Sequence, residues 1–290
     1  MTSPLFIAES EAFEGIDTIG KLITLSEKLQ RHIVKSLRMG VGDSLDLSDG
    51  KGLRCSGELV DADEGLVRIT SILREEAPDV RLCLVQGLAK GGRDEMAIEE
   101  STEIGVDAVI PWQADRSIVR WSGQKETKAA KKWDAVLTAA TEQSRRAWKP
   151  ELGAKVTSSQ LVRLCERVTG EGDVMVVLHQ DATDTWGGIE RRVVSAAASS
   201  VLSQAAPSQT VPSASFSEHS ESSVNLVSEE SPRPRTIFVV VGPEGGISDR
   251  EVGDLVAAGA RSVVIGRSIM RASTAGPVAI ALLSRALGRF

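Results

Sequence analysis

The sequence predicts two domains: a small β-barrel over residues 1–75 and, over 76–290, an α/β domain built on a mainly parallel sheet. Three observations carry this reading. Short strands separated by turn signals fill the first 75 residues, and strands alternate with helices from Val80 onward. Between Val239 and Ala275, two glycine-bearing loops each leave an apolar strand and enter a helix. In an open α/β sheet, ligands bind beyond the carboxyl ends of strands, so two such loops close in sequence predict one shared pocket.

In the first domain, strands at 44–47, 53–60 and 66–71 are separated by Asp49-Gly50-Lys51-Gly52 and Asp63-Glu64-Gly65. Before them lies a helix, LSEKLQRHIVKSLRMG, with Ser26 as its N-cap and Gly40 as its stop. Leu29, Ile33 and Leu37 recur on the face expected to pack on the barrel. Lys28, Arg31, Lys35 and Arg38 form a cationic ridge on another face. Such a ridge serves either as a solvated face or as a phosphate contact.

Pro78 marks the boundary, and Val80 to Leu88 reads as a continuous apolar strand. KGGRDEMAIEESTEIG follows as a helix carrying Met96, Ile98 and Ile104 and closed by Gly105. A strand at 108–110 precedes a long helix at 124–148, with Ala130, Trp133, Leu137 and Ala140 at helical spacing. A strand at 174–178, a helix at 188–202 and strands at 236–241 and 262–265 continue the alternation. Residues 203–235 break it: serine, proline and glutamate dominate without an apolar period, which predicts a disordered insertion.

Composition narrows the function classes. The chain is 41% hydrophobic and 26% charged, and no apolar run approaches the roughly 20 residues of a membrane helix. Its start lacks the features of a signal peptide, so a cytoplasmic location is expected, with no membrane partner. Cys55, Cys83 and Cys165 form no CxxC pair and read as small core residues. His32, His179 and His219 are scattered, so no metal site is predicted. A net charge of -6 argues against a nucleic-acid partner only for the whole field; a basic stripe on one face can outweigh it locally.

The first loop, Gly242-Pro243-Glu244-Gly245-Gly246, is neither a Walker loop nor GxGxxG, which removes a nucleotide-dependent dehydrogenase from consideration. Its glycines suit backbone recognition of a flat, hydrogen-bonding group such as adenine. In the second loop, Ile265 to Gly276, Ile269 and Met270 offer apolar walls and Thr274 is placed to cap the final helix. Arg271 there fits two roles equally, a salt-bridge residue or a cation that stabilises a developing anion.

These loops, read as VGPEGGIS and IGRSIMRASTA, occur with KGGRDEMAIEESTEIGVDAVIPWQADRSIV and EQSRRAWKPEL. Together they resemble the bacterial ribosomal RNA small subunit methyltransferase E family, SPOUT-class enzymes that methylate N3 of a uridine in 16S rRNA. HIVKSLRMGVGDSLDLSDGKG resembles the same family's PUA-like amino-terminal domain. The resemblance implies a SPOUT-type sheet ending in a trefoil knot, a homodimer, and S-adenosyl-L-methionine as cofactor. It implies 16S rRNA in the 30S subunit as partner. By matching motif positions it assigns the methyl donor to Leu178, Gly242, Glu244, Gly245, Gly246, Ile265, Gly266, Ile269, Met270, Thr274 and Ala275. Arg271 matches the family's RxxTA, Lys90 and Arg93 its KGxR. Glu103, Arg116, Glu142, Gln143, Ser144 and Arg146 match further polar positions. The chain departs from the family where Ser273 stands in place of a frequent glutamate and Gly92 in place of an acid.

Methylating N3 requires loss of the imide proton, since the neutral nitrogen has no free lone pair; the site must supply a base or lower the proton's affinity with positive charge. Arg271 is the expected catalytic residue, acting on the uridine anion. Glu244 and His179 are the candidate bases, each read more readily as structural. Lys28, Arg31, Lys35 and Arg38, with Arg93, Arg116, Arg145, Arg146 and Lys149, are expected to hold RNA, and the target base to be extruded. The competing expectations are a ribose 2'-O SPOUT methyltransferase and a non-catalytic RNA-binding or ribosome-assembly protein.

Overall fold

The computed structural model describes residues 3–191 and 235–290. The insertion expected over 203–235 lies outside the described residues, apart from Arg235, which opens a strand. The helix expected at 188–202 is described only to 191, and residues 186–191 are helical.

Five strands form the first domain: β1 (Leu5–Ile7), β2 (Leu22–Thr24), β3 (Ser44–Ser48), β4 (Leu53–Asp61) and β5 (Leu66–Arg74). They run in the order β1-β3-β4-β5-β2. Alternation along β4 turns Leu53, Cys55 and Leu59 inward, where they meet Phe6, Phe13, Ile23, Leu45 and Val67. No pairing joins β1 to β2, so the small β-barrel domain expected takes the form of a half-barrel.

The helix across its mouth, α1, starts as Glu27–Gln30 and continues as a π-helical turn, Arg31–Ser36. The wider turn rotates the following residues, so Ile33, Val34 and Met39 pack inward while Leu37, expected in the core, is 48% exposed. Arg38, in the left-handed region at φ 58°, ends the helix ahead of the expected Gly40. The Gly40 N–H instead donates to Asp43 Oδ2 at 2.8 Å. Ser26 precedes the helix but makes no capping bond. Lys28, Arg31, Lys35 and Arg38 are all exposed.

The second domain holds β6 (Val80–Gly87), β7 (Ala108–Gln113), β8 (Glu151–Leu152), β9 (Val156–Thr157), β10 (Val174–Leu178), β11 (Asp184–Thr185), β12 (Arg235–Val241) and β13 (Arg261–Val264). Their order is β11-β13-β10-β12-β6-β7-β8, with β9 also on β7, and every pairing is parallel. Among the described residues, α2 (Arg93–Ile104), α3 (Gln124–Ser144), α4 (Ser158–Gly170), α5 (Asp249–Ala257) and α6 (Ala272–Ala286) flank the sheet, besides the helical residues 186–191. The central strands are buried on both sides, as parallel strands require. From β6, Leu82 and Leu84 enter the core with Ile98 of α2, Leu137 of α3 and Ile280 of α6. Cys83 and Val85 face the opposite core with Leu161 of α4 and Leu255 of α5. All three cysteines are buried, in keeping with a packing role. Met96, expected with the apolar residues of α2, is 48% exposed.

The long helix expected to reach Trp148 stops at Ser144, because Arg145 adopts φ 57°. The freed segment joins the two domains. Ala147 O accepts from Ser48 Oγ and from Gly52 N, both at 3.1 Å, and Lys149 N donates to Gly50 O at 2.9 Å. Arg145 O accepts from Arg54 Nη2 at 2.7 Å, and Trp148 Nε1 donates to Glu75 O at 3.0 Å. Glu142 Oε1 completes the joint by accepting from Ile7 N at 2.9 Å, on the outer edge of β1. Arg146, expected on an RNA surface, is turned into this region. Its Nη1 donates to Thr102 O at 2.7 Å and Val106 O at 2.8 Å, and Nη2 lies 3.6 Å from Asp107. Burial holds its guanidinium below the ordinary value, and these bonds give the residue a role in the fold.

After β13, near one flank of the sheet, the chain returns to seat α6 on α2, β6 and β12 at the centre. Gly276 makes the seat possible: a Cβ there would stand 3.0 Å from Leu84 Cδ1. This return is the segment in which the resemblance places the knot.

Candidate active site

A cleft of about 590 Å³ opens at the carboxyl edge of β10, β12 and β13. The first loop forms its floor. Gly242 and Gly245 are required there by the protein itself: a Cβ on Gly242 would meet Ile247 Cγ1 at 2.6 Å, and one on Gly245 would meet Arg116 O at 2.9 Å. Gly246, at φ 73°, turns the chain toward α5. Ser248 caps α5 through a reciprocal box with Glu251.

Glu251 was not singled out from the sequence, although the S-x-x-E spacing signalled its cap. At 1% exposure it accepts from Ser248 N at 2.9 Å, from Asp115 N at 2.8 Å and from Ser158 Oγ. One carboxylate therefore fixes the loop after β7, the start of α4 and the glycine loop together. Arg116, carried by that post-β7 loop, reaches the cleft and approaches Gly245 O and Ile247 O at 3.5 and 3.4 Å.

Glu244 points across to the loop after β6. Its Oε1 accepts from Lys90 N at 3.0 Å and pairs with Arg93 Nη1 at 3.2 Å. Asp94, next to Arg93, accepts from Ala89 N at 3.2 Å, and burial pushes its carboxyl above the ordinary 3.8. The KGGR loop is thus held from both ends.

The second loop forms the opposite wall. Leu178, Ile265, Ile269, Met270 and Ala275 line it with Gly266, and Ile269 is 79% exposed. Among the described residues, Gly266 to Met270 make no backbone hydrogen bond to other backbone groups. Their amides and carbonyls are open to a ligand. Arg271 lines the cleft as the N-cap residue of α6, exposed and without an ion pair among the described residues. Thr274, expected to cap α6 and to touch the donor, stands in its first turn and outside the cleft lining, because the helix begins earlier, at Ala272. Ser273 is buried beneath. His179 lines the edge, where its Nδ1 accepts from Asp181 N at 3.4 Å.

Of the residues expected to bind RNA, the fold brings Arg93 and Arg116 to the cleft and leaves Lys28, Arg31, Lys35 and Arg38 on the half-barrel. Lys149 is engaged with Asp134 at 2.6 Å. Among the described residues, no group of three or more His, Cys, Asp or Glu is placed to hold a metal, and no helix is long and apolar enough to cross a membrane.

The chain matches the RNA methyltransferase domain family over residues 75–203 and 196–284, and the RNA methyltransferase PUA domain family over 25–70. It is 32% identical over 251 residues to ribosomal RNA small subunit methyltransferase E of Mycobacterium tuberculosis, covering 86% of this chain and 80% of the relative. The chain belongs to the ribosomal RNA small subunit methyltransferase E family. The family member of Bacillus subtilis is 26% identical over 257 residues, covering 87% and 86%. Two solved structures share the fold. A putative methyltransferase of Legionella pneumophila, in complex with the bound cofactor SAM, has a TM-score of 0.72 at 24% identity, covering 99% and 98%. The methyltransferase E of Neisseria gonorrhoeae, bound to S-adenosyl methionine, has a TM-score of 0.69 at 22% identity, covering 98% of each chain. A PUA-like half-barrel followed by a parallel SPOUT-type sheet is therefore the architecture of this member of the family.

Proposed function

We propose that this chain, as a homodimer, methylates N3 of a uridine in 16S rRNA of the small subunit, with S-adenosyl-L-methionine as donor. The observation that carries the reading is the cleft itself, shaped by both motif loops and presenting Arg271 free of any ion pair among the described residues. The residues present suit the donor: apolar walls from Leu178, Ile265, Ile269 and Met270 stand beside the open backbone of Gly266 to Met270. When bound, the donor supplies an electrophilic methyl group on a sulfonium.

The chain's own groups account for the acceptor side. Glu244 is 17% exposed in its side chain and already engaged by Lys90 and Arg93, which argues against proton abstraction and for loop holding. Arg271 is then the group that favours the uridine anion, lowering the affinity of N3 for its proton as the N–C bond forms and the C–S bond breaks. The imide proton leaves to solvent. Arg93 and Arg116, on the rim, orient the RNA backbone.

The test is transfer of labelled methyl groups to 30S particles from a strain lacking the protein, with mass-spectrometric mapping of the product nucleoside. N3-methyluridine is expected; ribose methylation or no transfer overturns the reading. Light scattering of the purified protein is expected to give twice the chain mass.

A further inference from the structure

Residues 115–132 carry six cations, Arg116, Arg120, Lys125, Lys128, Lys131 and Lys132, against two acids, Asp115 and Glu126, in a chain whose net charge is -6. Both acids are engaged by cations from elsewhere. Asp115 pairs with Arg250 of α5, and Glu126 with Lys155 at 2.8 Å. The local cations are left largely uncompensated. Lys132 pairs with Glu95 at 2.6 Å, while Lys125, Lys128 and Lys131 are exposed and make no ion pair among the described residues.

The placement is as telling as the charge. In a parallel sheet, the loops after β6 and β7 emerge on the edge where the cleft opens. The first delivers Arg93, the opening residue of α2, to the cleft, and the second delivers Arg116 before running on into α3. On α3, Lys125, Lys128 and Lys132 recur at three and four residues on one face, with Lys131 beside them, while Trp133, Leu137 and Ala140 face the core. The Lys132–Glu95 pair lays this face along the first turn of α2, two residues from Arg93.

We infer that the exposed face of α3 is a second RNA-backbone surface, a phosphate track leading from the cleft rim along the catalytic domain. The inference rests on the RNA methyltransferase reading above. RNA is the occupant that fits, because unpaired lysines on a helix, continuous with the arginines at a nucleoside-sized cleft, complement a line of phosphates and carry no base-edge information. The half-barrel ridge then offers one cationic surface to RNA and α3 a second.

The test compares the full chain with the variant Lys125→Gln/Lys128→Gln/Lys131→Gln, and with a control, Arg163→Gln/Arg167→Gln/Arg261→Gln. The control removes equal charge from exposed positions on α4 and β13. Binding to 30S particles is measured across a salt series, with KM and kcat for methyl transfer. The track variant is expected to bind about tenfold more weakly, with a log–log salt slope shallower by about 2 to 3. Its KM should rise with kcat and donor binding unchanged. A salt slope equal to the unsubstituted protein's, or an equal shift in the control, overturns the track. Failure of the unsubstituted protein to bind 30S at all rejects both readings. Binding without methyl transfer rejects the enzyme reading alone, and the salt slopes still decide the track.

Discussion

Arg93 Nη1 stands 3.2 Å from Glu244 Oε1, an ion pair that ties the first turn of α2 to the glycine loop after β12. The same oxygen receives the Lys90 N–H, so the acid joins two loops that lie far apart in sequence. Glu244→Gln keeps an oxygen for Lys90 and is expected to retain turnover within about threefold. Glu244→Ala removes the part-buried bond from Arg93 together with the exposed one from Lys90 N, and should weaken donor binding about tenfold, as loss of a bond of about 1–2 kcal/mol implies. Titration calorimetry with the donor checks the alanine variant and a methyl-transfer assay the glutamine one; a collapse of kcat in Glu244→Gln would make the acid a base after all.

Arg271 is expected to act on charge that develops only during reaction. Arg271→Ala should lower kcat about 10²- to 10³-fold while 30S affinity changes little, and Arg271→Lys should recover part of the loss. Single-turnover kinetics separates the two effects. Near-normal turnover in the alanine variant would remove the electrostatic role.

Arg146 belongs to the fold. Removing it leaves the Thr102 and Val106 carbonyls without this donor, while Asp107 keeps Arg289 at 2.9 Å, for a loss of about 1–3 kcal/mol in denaturant unfolding. The salt slope of RNA binding should stay the same for Arg146→Ala. A shallower slope at unchanged stability would return the residue to the RNA surface.

Burial pushes the thiols of Cys55 and Cys165 up to about 11, and that of Cys83 further. Native protein should react slowly with a thiol reagent at pH 8, and all three thiols should react once it is unfolded. Because the folded values are raised, this contribution to stability is complete below the ordinary 9.0 and declines as pH rises toward about 11. Denaturant midpoints measured from pH 8 to 10.5 should fall accordingly; a flat profile would show the thiols hydrated.

Periodicity made the alternating strands and helices legible, and the glycine loops located the cleft. What periodicity missed had local physical causes. The π-turn in α1 breaks the 3.6-residue spacing, so Leu37 reads as core and lies exposed. Arg145 takes a left-handed conformation that a non-glycine residue rarely adopts, so α3 looks longer than it is and the joint between domains is invisible. Helix α4 went unread, although Thr157 and Gln160 spell its capping box. Arg146 carries the charge of an RNA contact, and its bonds to the Thr102 and Val106 carbonyls leave no mark in the sequence.

The pairing of β12 with β6 sets the order in which the molecule can be completed. Val80 to Gln86 lie against Arg235 to Val241, about half the chain later, and α6 then covers Leu84. While the protein is being synthesised, one edge of the apolar strand β6 waits for a partner that is made about 155 residues later. Such distant contacts make for slow folding and a long-lived sticky edge. Refolding from denaturant should therefore be slow and lose yield as protein concentration rises.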